Sequence, residues 1–179
     1  MNENSGAVPA HYASTTRTLL RYAVVMLFVG LLAGVAFQES QKKLDYAAIG
    51  AGARLEAILS LALVHGHVLL TGVVLPLVLA GSLFLARKCG GGELSIASLR
   101  WLTRVYVPCV TVAVLLMLYK GYHVLLSVRF GERDFDAIDA AYFGGMHGLR
   151  NGVYALSHVG MALGLGVFAV ALWRSLKRG

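Results

Sequence analysis

The chain has 179 residues, 58% of them hydrophobic and 14% charged, with a formal net charge of +7. That composition is too apolar for a soluble globular domain of this size, and it excludes the ordinary polar-surfaced enzyme or nucleic-acid-binding module. The basic excess is explained instead by where it falls along the chain.

Residues 1–16 form a polar tail. They are too many and too weakly basic for a secretory leader, so the apolar stretch that follows is expected to be a retained span. Four such stretches, near 18–38, 57–86, 105–128 and 140–173, each reach the roughly 20 residues a helix needs to cross the hydrocarbon. The expected fold is an all-α integral membrane protein, with a four-helix bundle over residues 17–179 as one domain. Its connections are a polar, Gly/Ala-rich segment at 39–55, the flexible "RKCGGGELS", and the acidic "GERDFDAID". The last ends at Asp139, a candidate N-cap for the fourth helix. Pro76 and Pro108 fall inside spans and predict local bends.

Charge orients the spans. One side carries Arg17, Arg21, Arg87, Lys88, Arg100, Arg104, Arg174, Lys177 and Arg178 against only Glu3 and Glu93. The other carries Lys42, Lys43, Arg54, Arg129 and Arg133 among seven acids. Both termini are therefore expected in the cytoplasm of a bacterium, with the chain multi-pass in the inner membrane. No nucleic-acid partner is implied. Cys89 and Cys109 lie on different segments and form no CxxC, so neither a disulfide frame nor a zinc site is indicated. Cys109 reads as a small core residue. Small residues recur four apart at Gly30/Gly34, Gly144/Gly148/Gly152 and Gly160/Gly164, the pattern of close helix approach or of room for a flat cofactor.

The histidines carry the chemistry. "LALVHGHVLLTGVVLP" places His65 and His67 in an otherwise apolar run. Heights follow from the basic residues at the span ends and a rise of 1.5 Å per residue. His67 lies about 30 Å from Arg87 and His65 about 33 Å, His123 about 28 Å from Arg104, and His158 about 24 Å from Arg174. Four imidazoles on three helices are thus expected within about 10 Å of one level, in the outer half of the bilayer. With almost no carboxylate inside the spans, that set suits a soft-to-borderline metal or haem iron. Haem b explains more of the pattern than bare copper or zinc, copper being the weaker alternative. The macrocycle needs an apolar slot, axial imidazoles, and cations for its propionates, for which Arg150 and Lys120 are candidates. The axial choices are His65 or His67 with His158, and His123 in reserve. Residues two apart on a helix differ by about 200°, so His65 and His67 must look towards different neighbours. His11 and His147 read as ordinary interface residues, Tyr122 as an interfacial anchor, and Tyr106 and Tyr119 as anchors or relays.

At these residues the sequence resembles helix II of subunit I in haem–copper oxidases and nitric oxide reductases. There an axial histidine reads "HG" with a proline eleven residues later, as His65-Gly66 and Pro76 do here. The HxH pattern is similar to helix X of that subunit, and "HVGMALGLGVF" at His158 is similar in its glycine six residues on. Over most of its length the chain also looks like a small family of four-helix bacterial membrane proteins. It departs from the oxidases in having a third of their helices, no vicinal His-His pair and no His–Tyr copper motif. The resemblance therefore implies haem binding without a binuclear oxygen-reducing centre. The pseudo-threefold arrangement of the oxidase helices implies a homotrimer, with haem shared by His65 and His67 of adjacent copies.

The reading that follows is a membrane b-type cytochrome for electron transfer or small-gas (O2 or NO) binding, with a redox partner. The absence of CxxCH excludes c-type attachment. Whether such a protein is an oxidoreductase or a passive carrier stays open. The alternatives are a metal or proton transporter or channel with a His-lined site, and a non-catalytic subunit of a respiratory complex. Against the channel, the inner half offers only Thr103, Thr111 and Ser82 as polar stepping stones.

Overall fold

The computed structural model describes residues 8–177, and these are helical apart from short connections, with no strand among them. Four long helices run antiparallel: α1 (Ala10–Gln41), α2 (Gly52–Lys88), α3 (Ile96–Arg129) and, after the short α4 (Phe135–Ala141), α5 (His147–Leu176). Each of the four is long and apolar enough to cross a membrane. The start of α1 and the end of α5 lie at one end of the bundle, the basic end, which carries Arg17, Arg87 and Arg174. The opposite, acidic end holds α4.

The helices extend further than the apolar stretches. α1 begins within the expected polar tail, and α3 begins nine residues before the expected span. Polar first turns such as "HYASTTR" and "IASLRW" carry helix beyond the apolar stretch. Ser95 caps α3, its Oγ accepting from the Ser98 N–H at 3.2 Å. The fourth span starts later than expected, at His147 rather than 140. Phe143 and Gly144 both adopt φ 61°, ψ 28°, the left-handed region, which breaks the helical path. Asp139 is accordingly not the cap of the fourth long helix. It lies inside α4, whose N-cap is Asp134, accepting from Asp136 N–H at 3.0 Å and Ala137 N–H at 3.1 Å.

Both in-span prolines follow a widened turn. α2 is π-helical over Val68–Val74 just before Pro76, and α3 over Leu102–Tyr106 just before Pro108. Proline lacks the N–H for the ladder and its ring presses on the carbonyl four residues back; a π-turn relieves both.

α2 and α3 form the central pair, with α1 against α2 and α5 against α3. α1 turns inward the line Tyr12, Leu19, Met26 and Ala33. Between lipid-like faces there is little hydrophobic drive, so close contact rests on small residues. A Cβ on Gly164 would stand 2.8 Å from the Tyr106 Cβ and one on Gly30 2.8 Å from Leu69, and one on Gly160 would run into the Cys109 Sγ. At Gly148, Gly152 and Gly166 an added Cβ meets nothing within 4 Å. Only 22–33% of each apolar window is buried, so most of the apolar surface faces outward, towards lipid or another chain.

Candidate functional site

Tyrosine hydroxyls pin the helices to one another. Tyr106 donates to the Thr71 carbonyl at 2.6 Å, within the π-turn of α2, and Tyr142 donates to Leu116 at 3.0 Å. Tyr12 accepts from the Leu94 N–H at 2.7 Å. The Tyr106 hydroxyl is thus engaged as a tether, while Tyr119 stays half exposed against the rings of Tyr142 and Phe143.

Contacts between helices give the histidine heights directly. Gly160 and Gly164 of α5 lie against Cys109 and Tyr106 of α3, so His158 stands level with about Val112. Gly121 of α3 lies against Leu61 of α2, and Tyr106 reaches Thr71, which sets that level at about 65–70 of α2. His65, His67 and His158 therefore share one height to within about a turn. His123 does not; it lies about 12 Å nearer the acidic end than His67. Its expected height was measured from Arg104, which lies eight residues inside α3 rather than at its start.

The side chains of one chain do not converge on a single centre. His65 is wedged between α1 and α2, its Nδ1 donating to the Gly30 carbonyl at 2.7 Å. A Cβ on Gly34 would stand 3.0 Å from that nitrogen, so the missing side chain is what admits the ring. His67 is exposed, and its Nδ1 donates to the Leu63 carbonyl of its own helix at 2.9 Å. His158 is also exposed, with Nδ1 donating to Tyr154 at 2.8 Å and its ring stacked on that tyrosine at 6.2 Å. His123 donates from Nε2 to the Ile138 carbonyl at 2.8 Å and packs beside Tyr142. It belongs to the bracing of α4.

A carbonyl oxygen only accepts, so the nitrogen facing it carries the proton. In the neutral rings of His65, His67 and His158 the other nitrogen, Nε2, is then a free lone-pair donor. No described residue hydrogen-bonds to Nε2 in any of the three. This tether from Nδ1 to a carbonyl is the usual way in which a metal-binding imidazole is oriented.

Helix geometry sets the directions of two of these rings. Val64 and Val68, both fully buried, mark the inward line of α2. His65 lies to one side of that line, against α1, and His67 about 200° round from it, on the flank away from α1. On α5, His158 heads the stripe Met161, Leu165, Phe168 and Leu172, which packs against the core that includes Leu79 and Leu83 of α2. α2 and α5 touch through the Leu75–Lys88 part of α2. Further towards the acidic end they part. His67 and His158 stand at one height on the two helices that border this gap, or notch.

The expected propionate partners are otherwise engaged. The Asp139 carboxylate accepts from Arg150 Nη1 at 2.7 Å and lies 3.5 Å from Lys120 Nζ, joining α3, α4 and α5 at the acidic end. The Arg150 hydrogen bond, with Lys120 adding its charge, holds that carboxyl below its ordinary value although partial burial opposes this. Among the described residues no three His, Cys, Asp or Glu side chains gather as a metal-ion site. His65, His67 and His158 therefore do not form one ion site within a chain. His147 is exposed, and His11 contacts Leu94 O at 3.3 Å and Glu93 at 3.1 Å.

The few hydroxyls that a path would have to use each donate to their own helix, and Thr111 in addition accepts from the Tyr22 hydroxyl of α1 at 3.2 Å. Thr111 donates to Val107, Ser82 to Leu79 and Thr103 to Leu99.

Fold and site together define an all-helical protein with four helices fit to span a membrane and two exposed histidines, one on each of α2 and α5, at one height. Comparison with protein-family models, with curated proteins and with solved structures finds no match.

Proposed function

We propose that the chain is a b-type cytochrome of the membrane, its haem held in the notch between α2 and α5 by Nε2 of His67 and Nε2 of His158. The observation that carries this reading is the pair itself: two outward imidazoles at one height, each tethered through Nδ1, each with a free Nε2. A free ring nitrogen facing hydrocarbon is costly without a partner. Two imidazoles fall short of the four ligands of a structural zinc site and of the tetragonal or two-histidine, one-cysteine sets of copper(II) and blue-copper sites. They do complete a haem, whose porphyrin supplies the other four. When bound, the haem supplies one-electron or gas-binding chemistry. The chain's part is to present the two imidazoles, fix their tautomers and exclude water.

In this reading HGH divides its labour. His65 packs against α1, and His67 ligates. The notch opens sideways, so a neighbouring copy closes it, in keeping with a homotrimer, and the basic end faces the cytoplasm of a bacterial inner membrane. A transporter is disfavoured by the self-bonded hydroxyls of the inner half.

The test is the pigment. Protein purified after expression with ample haem precursor is expected to show a Soret band and a sharp reduced α band. His67→Ala and His158→Ala are each expected to lose pigment or turn it high-spin, while His123→Ala keeps the parent spectrum. Colourless parent protein, or an unchanged spectrum in the His67→Ala/His158→Ala double variant, overturns the assignment.

A further inference from the structure

Away from the notch, the basic end holds a second polar feature. A cavity of about 250 Å³ lies between the first turns of α1 and α3, lined by His11, Ser14, Thr15 and Thr18 from one and Arg100, Thr103 and Arg104 from the other. Three independent observations give it a common chemistry.

The first is charge. Arg100 and Arg104, four apart on one face of α3, are both exposed, and among the described residues no carboxylate pairs with either. Arg17 and Arg21 continue the α1 sector of Ser14 and Thr18, equally unpaired. The second is the backbone. Two long helices start beside the cavity; Ser95 caps the start of α3, whereas the start of α1 has no side-chain cap and keeps its positive dipole end uncompensated. The third is Thr15. Its residue is 7% exposed and lines the cavity, yet its hydroxyl has no hydrogen-bond partner among the described residues. That hydroxyl is open to the cavity and unengaged, so a ligand seated there can accept a hydrogen bond from it. The described acid nearest the cavity is Glu93, which lies 3.1 Å from the His11 ring at the rim.

Two unpaired guanidinium groups, the free hydroxyls of Ser14 and Thr15 and an uncapped helix start are elements of a phosphate site. The outward faces beside it are apolar: Leu20 is 43% exposed and Trp101 38%. A ligand with a phosphate head and hydrocarbon tails matches both surfaces, and basic pockets between spans are where such head groups bind. We infer that this cavity seats the phosphate of an anionic phospholipid, with its acyl chains lying along α1 and α3. The inference does not depend on haem.

The full-length protein, reconstituted in nanodiscs of neutral phosphatidylcholine, is titrated with phosphatidylglycerol and, separately, with inorganic phosphate, following bound lipid by native mass spectrometry and the shift in melting temperature. Arg100→Gln/Arg104→Gln is expected to weaken phosphatidylglycerol binding at least tenfold. Arg87→Gln/Lys88→Gln, which removes the same charge elsewhere on that end, is expected to change it less than twofold. Thr15→Val, isosteric and charge-neutral, is expected to weaken it several-fold, which keeps the test open if the double arginine variant does not fold. Equal losses in the two charge variants, or no effect of Thr15→Val, overturn the site in favour of diffuse surface attraction. Inorganic phosphate binding as well as the lipid overturns the lipid as its source.

Discussion

Gly164→Ala tests the close approach on which the notch depends. The added Cβ would stand 2.8 Å from the Tyr106 Cβ and 3.1 and 3.2 Å from its backbone N and Cα. Ordinary contact begins at 3.4 Å, and backbone cannot swing aside as a side-chain tip can, so α5 must retreat from α3 by at least several tenths of an ångström. Overpacking of this kind costs about 1–3 kcal/mol. The helix propensity gained from glycine to alanine opposes it by about 1 kcal/mol. Gly152→Ala on the same helix gains the propensity without the clash, since nothing lies within 4 Å of that Cβ. The difference between the two variants therefore isolates the packing term, about 1–3 kcal/mol in favour of Gly152→Ala. Thermal unfolding in detergent, followed by circular dichroism at matched protein concentration, reads it. If the variants melt together, or Gly164→Ala is the more stable, α5 does not lie against Tyr106, and the height assigned to His158 fails with it.

Tyr106→Phe removes the hydroxyl that holds the widened turn of α2 and is expected to cost about 0.5–1.5 kcal/mol, measured by the same melts. A cost near zero means that the Thr71 carbonyl is satisfied without it. Asp139 titrates below its ordinary value because of the Arg150 hydrogen bond, so its contribution is fully present above the ordinary carboxylate range and is lost as pH falls through the lower, folded value. A melting series in acid should show this loss in the parent and not in Asp139→Asn; the effect is small, since the Asp139 side chain is 46% exposed. Ser95→Ala is expected to destabilise α3 by about 0.5–2 kcal/mol, whereas Ser14→Ala, which caps nothing, is expected to be near neutral in stability.

The four long helices were legible because hydropathy over a membrane-length window is a strong signal. Their ends were not. The polar starts of α1 and α3 fall outside any apolar stretch, and the late start of α5 depends on Phe143 in a left-handed conformation that "YFGG" only hints at. That misplacement cost the height of His123, since Arg104 served as the reference for a helix that begins two turns earlier. The opposed directions of His65 and His67 follow from helix geometry alone. Which of them is packed away does not: it is set by a glycine on another helix, Gly34, against which the His65 ring lies. The salt bridges of Asp139 were missed for a related reason. Read as a cap, it had no further role, and Lys120 and Arg150 were left free for propionates that they are not free to meet without displacing it. The prolines announced bends, and the structure answers each with a π-turn.

The most direct test of the account is the electron paramagnetic resonance spectrum of the ferric protein purified from cells supplied with haem precursor. Axial coordination by His67 and His158 predicts a low-spin signal of bis-imidazole type in the parent, replaced by a high-spin signal when either histidine becomes alanine and unchanged by His123→Ala. A parent without haem iron, or a bis-imidazole signal that survives His67→Ala, contradicts it.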